Sequence, residues 1–281
     1  MREGRPSTTA AWVAAWRGIS GRAARPVVHD PIAEHLVPGG YASILRLAGR
    51  YPGVMAQVHR FADAVSLGRS RHLALRTRAI DDGTHAAIEG GARQLVIVGA
   101  GLDARAWRLP SLRDTVVWEV DHPSTQAWKR ARVAELPPIA RDVRFVASDF
   151  ERDDMRERLA AAGHDPTAPT VFVWEGVTMY LSSAAIDLVL RGLHVCAAAG
   201  STLLATYFEP RSSPLARTLS MVLRGVSEPV RSRFSPDEIA GQLDRHAFEV
   251  IEDAGDPEWS RRYLSIAQPW SLERLVTARR R

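Results

Sequence analysis

Residues Gln94–Leu109 read QLVIVGAGLDARAWRL, and shortly after them Thr115–Pro123 read TVVWEVDHP. The first piece opens on an apolar run, Leu95–Val98, that is continuous rather than alternating. Such a run marks a strand covered on both faces. It breaks at Gly99-Ala100-Gly101 into a segment of helical character. The second piece is another buried strand and ends in an acid, Asp121, twenty residues after Gly101. Strand, glycine turn, helix, strand and terminal acid is the plan of a nucleotide-binding βαβ unit.

Downstream the same rhythm repeats. Strands are expected at Leu95–Val98, Val116–Val120, Val143–Ala147, Val171–Trp174 and Thr202–Tyr207. The helices between them are Asp103–Arg108, Pro123–Ala134, Asp154–Ala161 and Ser183–Ala198. Five strands separated by helices argue for a parallel, doubly wound sheet with right-handed crossovers. After Tyr207 the alternation is interrupted by Glu209–Gly225, a proline-flanked helical insertion read as a lid at about 209–233. Ser235-Pro236-Asp237 then caps a helix to about Arg245. Two late strands, Phe248–Asp253 and Leu272–Thr277, joined by Asp256–Trp270, predict a sheet edge with an antiparallel element.

Upstream, residues 1–92 show helical periodicity and almost no strand signal. Ser7-Thr8-Thr9 is a plausible N-cap for a helix stopped at Gly18. Asp30-Pro31 starts a second helix through Leu36, which Pro38-Gly39-Gly40 ends. Ala42–Arg50, Val54–Val65 and Arg69–Ile88 complete a helical section expected to cap the sheet's binding edge. The expectation is one integrated domain: the cap over 1–92 and an α/β core over 93–281.

With 281 residues, 46% hydrophobic and 25% charged, the chain has an ordinary globular composition. Its net charge of +5 is spread along the chain, whereas a nucleic-acid binder concentrates basic charge on one face. Lys129 is the only lysine, so arginine carries almost all the positive charge. The single cysteine, Cys196, excludes an intramolecular disulfide and a cysteine-rich metal framework. No run approaches the length of a membrane span, and the N-terminus lacks a signal-peptide core. The expectation is a cytoplasmic protein with no metal, nucleic-acid or membrane partner, and of undetermined oligomeric state.

The strand-terminal residues carry the chemistry. Gly99 and Gly101 let the backbone approach a ligand through dihedrals closed to other residues, although ordinary turn glycines look the same. Gly99–Ala104 even satisfies the loose dinucleotide pattern, so NAD stays open. Asp103 would sit beside a pyrophosphate's negative charge, and a ligand with an ammonium group suits this turn better. The methionine end of S-adenosylmethionine is such a ligand. Asp121 can accept both ribose hydroxyls of either cofactor, or it can cap the helix at Pro123. Glu119, two residues back, should point to the same side. Asp149, beside Ser148 and Phe150, can hold an adenine amine while the aromatic ring packs on the base, or it can cap the next helix. Glu175, followed at once by Gly176, faces the carboxyl edge of the sheet where ligands bind.

Read together, TAAWVAAWR, HDPIAEHLV, LRTRAIDD, IVGAGLDARAWRL, WEVDHP, FVASDF, WEGVTMYL and FSPDEIAGQLDRHAFEVIED resemble the leucine carboxyl methyltransferase-like branch of the S-adenosylmethionine-dependent methyltransferases. That branch includes bacterial O-methyltransferases of polyketide pathways. The resemblance implies a class I methyltransferase fold: a Rossmann-like, doubly wound, seven-stranded sheet with its last strand antiparallel. It further implies that Gly99 and Gly101 contact the methionine part, with Glu175 nearby, and that Asp121 binds ribose. Asp149 and Phe150 would bind adenine, and Arg76, rather than Arg78, would pair with the methionine carboxylate. Arginine is also the natural bidentate partner of a carboxylate on its own chemistry. The chain departs from the pattern at Ala104, where many relatives have a small hydroxyl residue. It also lacks an N-terminal lysine used by some relatives, for which Arg22 or Arg25 would substitute.

A carboxylate acceptor needs no general base, whereas a phenol or alcohol does. Candidate bases are His122, His59 and His72, and Tyr180 is a candidate for lining the acceptor pocket. Trp12, Trp16, Leu219, Met221 and Val222 would suit a hydrophobic acceptor or serve helix packing. The expected function is a small-molecule O-methyltransferase, possible in secondary metabolism. The alternatives are an NAD-dependent oxidoreductase and a non-catalytic S-adenosylmethionine-binding regulator.

Overall fold

A computed structural model of the chain describes residues 8–21, 26–51, 53, 57, 63, 68–150, 152–210 and 230–281. The strands are β1 (Gln94–Val98), β2 (Val116–Asp121), β3 (Asp142–Ala147), β4 (Thr170–Trp174), β5 (Thr202–Phe208), β6 (Phe248–Gly255) and β7 (Glu273–Arg280). They form one seven-stranded sheet of order β3-β2-β1-β4-β5-β7-β6. β1 lies parallel between β2 and β4, with Gln94 opposite both Val116 and Thr170. β7 is antiparallel to both of its neighbours. This is the doubly wound sheet with an antiparallel edge that the sequence pattern implied.

The helices are α1 (Thr8–Ser20), α2 (Ala33–Leu36), α3 (Gly39–Arg50), α4 (Arg69–Glu89), α5 (Arg105–Arg108), α6 (Pro123–Val133), α7 (Met155–Ala161), α8 (Ser183–Cys196), α9 (Pro236–Arg245) and α10 (Asp256–Leu264). Each face of the sheet has its own apolar cluster. Leu95, Ile97, Val171 and Val173 share one with the front helices through Ala11, Leu36, Leu45 and Ile80. Val96, Val98, Phe172 and Trp174 share the other with Leu159, Val189, Leu193 and Leu243. Adjacent residues of β1 therefore point to opposite covered faces, which is why that strand reads as an unbroken apolar run. None of the described helices is long and apolar enough to cross a membrane.

Several boundaries differ from expectation for identifiable reasons. Gly18 does not stop α1, which continues to Ser20. A Cβ at Gly18 would lie 2.9 Å from both Ala33 Cβ and Leu45 Cδ1, so the glycine is there for close helix packing. Gly39 and Gly40 begin α3 behind Pro38 rather than closing α2. α2 begins at Ala33 with Ile32 at its N-cap rather than at Asp30-Pro31, although Asp30 Oδ1 accepts the amides of Ile32 and Ala33 just ahead of it. The Ser235 cap is a full capping box closed by Glu238. Asp256–Trp270 contains a helix, α10, in its first half. Most of the expected helix Val54–Val65, the bulk of the lid and Arg22, Arg25, His59, Leu219, Met221 and Val222 lie outside the described residues.

Candidate functional site

A cavity of about 620 Å³ opens at the carboxyl ends of β1, β2 and β4. The strand order reverses between β1 and β4, and a doubly wound sheet leaves a ligand crevice at such a switch point. Arg76, Gly99, Gly101, Asp103, Asp121, Asp149, Phe150 and Glu175, the residues expected to hold a cofactor, all line this one cavity. His122 and Tyr180 line it as well.

The glycine turn is built for close approach. Gly99 and Gly101 have φ of +71° and +49°, in the left-handed region. A Cβ on Gly99 would fall 2.4 Å from Val177 Cγ2, so that position has no room for a side chain. Asp121 braces the turn: its Oδ2 accepts the Gly101 amide and its Oδ1 the His122 amide. Burial pushes the Asp121 carboxyl up, against those two amides. The helix-cap reading of Asp121 falls to its neighbour, because the side chain of His122 accepts the Ser124 amide at the start of α6. Asp149 likewise does not cap α7; Asp154 does. Beside Asp149, the hydroxyl of Ser148 is buried with no hydrogen-bond partner among the described residues. Phe150 packs against the apolar cluster below.

Behind this wall runs a chain of buried charges. Glu175 Oε1 takes Arg76 Nε at 3.0 Å and Nη2 at 2.8 Å, while its Oε2 takes Arg105 Nη1 at 2.8 Å. Burial alone would raise the Glu175 carboxyl, but Arg105 and Arg76 outweigh it and hold it well below the usual carboxylate range. Arg105 also grips Asp103 and lies 2.8 Å from Asp81, which Arg108 clasps from the other side. For Asp103, burial is again outweighed by Arg105, and the carboxyl is lowered. Asp103 precedes α5 rather than sitting in its first turn, and its Oδ1 accepts the Arg105 amide. Asp103 is therefore not the open partner for an ammonium that its sequence position suggests, because Arg105 already neutralises it in the fold.

Arg76 differs from expectation in the same way. It reaches the cavity, yet Nη1 is bound to both oxygens of Glu273, at 2.9 and 2.8 Å, and its other edge to Glu175. Arg17 and Arg231 also line the cavity, both overlooked in the sequence; Arg17 is the one fixed to the glycine turn. Its Nε binds Asp30 at 3.0 Å and its Nη2 the carbonyl of Leu102 at 2.6 Å, which ties α1 to the glycine turn. Thr9, Ala10, Val13 and Arg17 all face the cavity from α1, a helical spacing within the quoted TAAWVAAWR segment that could have revealed it.

His72 is no base at this site. It is buried away from the cavity, with Nδ1 2.7 Å from Asp256 and Nε2 2.9 Å from Glu273. Glu119 is sealed under the sheet, 2.6 Å from the ammonium of Lys129.

A doubly wound sheet with its last strand antiparallel, and a crevice lined by a glycine turn and strand-terminal acids, is the arrangement expected of a class I methyltransferase. Residues 10–194 match the leucine carboxyl methyltransferase family, and the chain belongs to it. A provisionally named S-adenosyl-L-methionine-dependent methyltransferase of Mycobacterium avium is 40% identical over 214 residues, 73% of this chain and 67% of that protein. One from Mycobacteroides abscessus is 33% identical over 260 residues, 89% and 81% of the respective chains. Among solved structures, a provisionally described methyltransferase from Thermobifida fusca covers 99% of this chain and 96% of its own at a TM-score of 0.58 and 17% identity. A DUF574 family protein from Streptomyces avermitilis covers 99% of both at 0.57 and 15%. These two likenesses concern the fold. Family membership decides the cofactor that the glycine turn left open: S-adenosylmethionine rather than NAD.

Proposed function

We propose that this chain transfers the methyl group of S-adenosylmethionine to an oxygen of a small molecule, a carboxylate or a hydroxyl, in the cytoplasm and within secondary metabolism. The observation that carries the reading is the single cavity that brings together the glycine turn, Asp121, Asp149 and Glu175 with the apolar side chains of Val13, Val177 and Leu181. Its volume lies within the range of small-molecule pockets.

The residues present fit the cofactor. Gly99 and Gly101 leave the backbone bare for its methionine part beside Glu175, Asp121 faces the ribose, and Asp149 with Phe150 faces adenine. The orphaned Ser148 hydroxyl adds a polar group beside that adenine subsite. We assign the methionine carboxylate to Arg76 together with Arg17. Of the five N–H donors of a guanidinium, Arg17 directs two to Asp30 and Leu102. When bound, the cofactor supplies a methyl group on a positively charged sulfur.

The protein's share of the rate is then chiefly alignment of acceptor and donor. Glu175 and Asp103 are held in ion pairs and Asp121 by backbone amides. That favours an acceptor already ionised at pH 7, such as a carboxylate. For a hydroxyl acceptor, Tyr180 and His122 are the groups at hand.

The test is methyl transfer from labelled S-adenosylmethionine to parallel panels of carboxylic acids, phenols, alcohols, amines and thiols. Product on oxygen supports the reading. Turnover confined to amines or thiols, or no calorimetric binding of S-adenosylhomocysteine, overturns it.

A further inference from the structure

His72 and Arg76 stand one turn apart on α4, and both reach the first residue of β7, Glu273. Oε2 of Glu273 is shared, 2.9 Å from His72 Nε2 and 2.8 Å from Arg76 Nη1. On its other side, His72 Nδ1 meets Oδ1 of Asp256, the first residue of α10. Oδ2 of Asp256 in turn accepts the amides of Trp270 and Ser271, just ahead of β7. The result is an alternating series, Asp256, His72, Glu273, Arg76, Glu175, Arg105, in which every member but the partly buried Glu175 is buried. Only Arg76 and Glu175 of the six line the cavity.

A carboxylate offers lone pairs and no proton, so an imidazole bridging two carboxylates must donate from both nitrogens and carry a positive charge. Burial opposes that charge, but the bonds to Asp256 and Glu273 prevail and hold the imidazole above its usual range. The charged groups facing it are Asp256 from α10 and Glu273 from β7; Arg76 of its own helix stands across Glu273. The ring of Trp259 lies beside it, with centroids 5.9 Å apart.

We propose that His72 is a positioning residue: as an imidazolium it fixes Glu273, which orients Arg76 and through it Glu175 in the wall of the cofactor cavity. Loss of one proton turns a ring lone pair onto a carboxylate lone pair, and one of the two acids must rotate away. Glu273 holds Arg76 Nη1 with both oxygens, so its rotation frees that nitrogen and leaves the guanidinium held only through Nε and Nη2 on Glu175. Cofactor affinity then depends on a group that never touches the cofactor. This inference rests on the cavity being the S-adenosylmethionine pocket.

Two measurements on the full chain test it. Nitrogen-resolved NMR of the His72 ring is expected to show both ring N–H protons at pH 7 and to keep them to higher pH than a free imidazole does. A single ring proton at pH 7 overturns the proposal. Calorimetric titration of S-adenosylhomocysteine from pH 6 to 10 is the second. His72→Gln is expected to bind about tenfold more weakly at neutral pH and to lack the part of the alkaline loss that is due to His72 in the wild type. Asp256→Asn, which keeps the ring but removes one counter-charge, is expected to move that loss to lower pH and serves if His72→Gln does not fold. Variants that keep wild-type affinity and pH profile overturn this inference alone. A wild-type protein that binds no S-adenosylhomocysteine overturns the cofactor reading and this inference with it.

Discussion

Lys129, the only lysine in the chain, holds its ammonium 2.6 Å from the carboxylate of Glu119, and both side chains are 1% exposed. The ammonium also stands 5.3 Å from the ring centre of Trp107. Burial lifts the Glu119 carboxyl to about 7 even though Lys129 pulls it down. A carboxyl raised on folding costs stability as pH climbs from its unfolded value toward its folded one, and the cost stays constant above that. Removing Lys129 extends the climb. Lys129→Met is therefore expected to destabilise more at pH 9 than at pH 6, by at least about 1 kcal/mol, read from urea midpoints. An equal loss at both pH values would contradict the pairing. Amine-reactive labelling followed by mass spectrometry should leave Lys129 unmodified until the protein is unfolded.

Glu175 is the common counter-ion of Arg76 and Arg105. Glu175→Gln keeps the shape and leaves two buried guanidiniums short of negative charge, a change that costs on the order of 3 kcal/mol. A clear fall in the thermal midpoint and weaker S-adenosylhomocysteine binding are expected together. An unchanged midpoint would show that water, not Glu175, balances the two arginines.

Gly99 combines a positive φ with the nearest obstruction a Cβ would meet in the turn, Val177 Cγ2. Gly99→Ala is expected to lose about 1–3 kcal/mol of stability from strain and most cofactor affinity. Adding Val177→Ala relieves the contact but not the dihedral, so recovery should be partial. Full recovery by the second change would locate the whole cost in the contact.

Glu273 has the opposite pH sense to Glu119. Burial would raise it, but Arg76 and His72 bring its carboxyl down to about 2 from 4.5. A carboxyl lowered on folding contributes stability above its unfolded value and loses that contribution as pH falls toward its folded one. The wild type is thus expected to lose about 3 kcal/mol from this group between pH 4.5 and 2. Glu273→Gln should lack that part of the acid slope and be less stable at pH 7. Parallel acid slopes for the two proteins would rule the pairing out.

Much of the architecture was legible before any coordinates. β1 through β5 fall within a residue or two of their expected bounds; β1 and β4, buried along their whole length, are written as near-continuous apolar runs. The cavity-facing acids Asp121, Asp149 and Glu175 were legible for a related reason: each stands at or just beyond the carboxyl end of a strand, where the sheet can no longer cover it. Gly18 was misread because a glycine that admits a neighbouring helix and one that ends its own look alike in sequence. His72 was misread as a candidate base because nothing near it in sequence says that Asp256 and Glu273 close on its two nitrogens.

The sequence by itself determined the doubly wound sheet, the glycine turn and the strand-end acids, because local periodicity and turn chemistry encode them within a few residues. Only the tertiary structure decided which charges those acids meet. Arg76 and Glu175 lie 99 positions apart, His72 and Glu273 201 apart. Pairs at such separations follow from strand order and helix docking, which bring α4 between the ends of β4 and β7. The glycine turn of Gln94–Leu109 was readable as a ligand turn; that Arg105, seven residues past the end of β1 at Val98, neutralises Asp103 and buttresses Glu175 was a property of the packed fold.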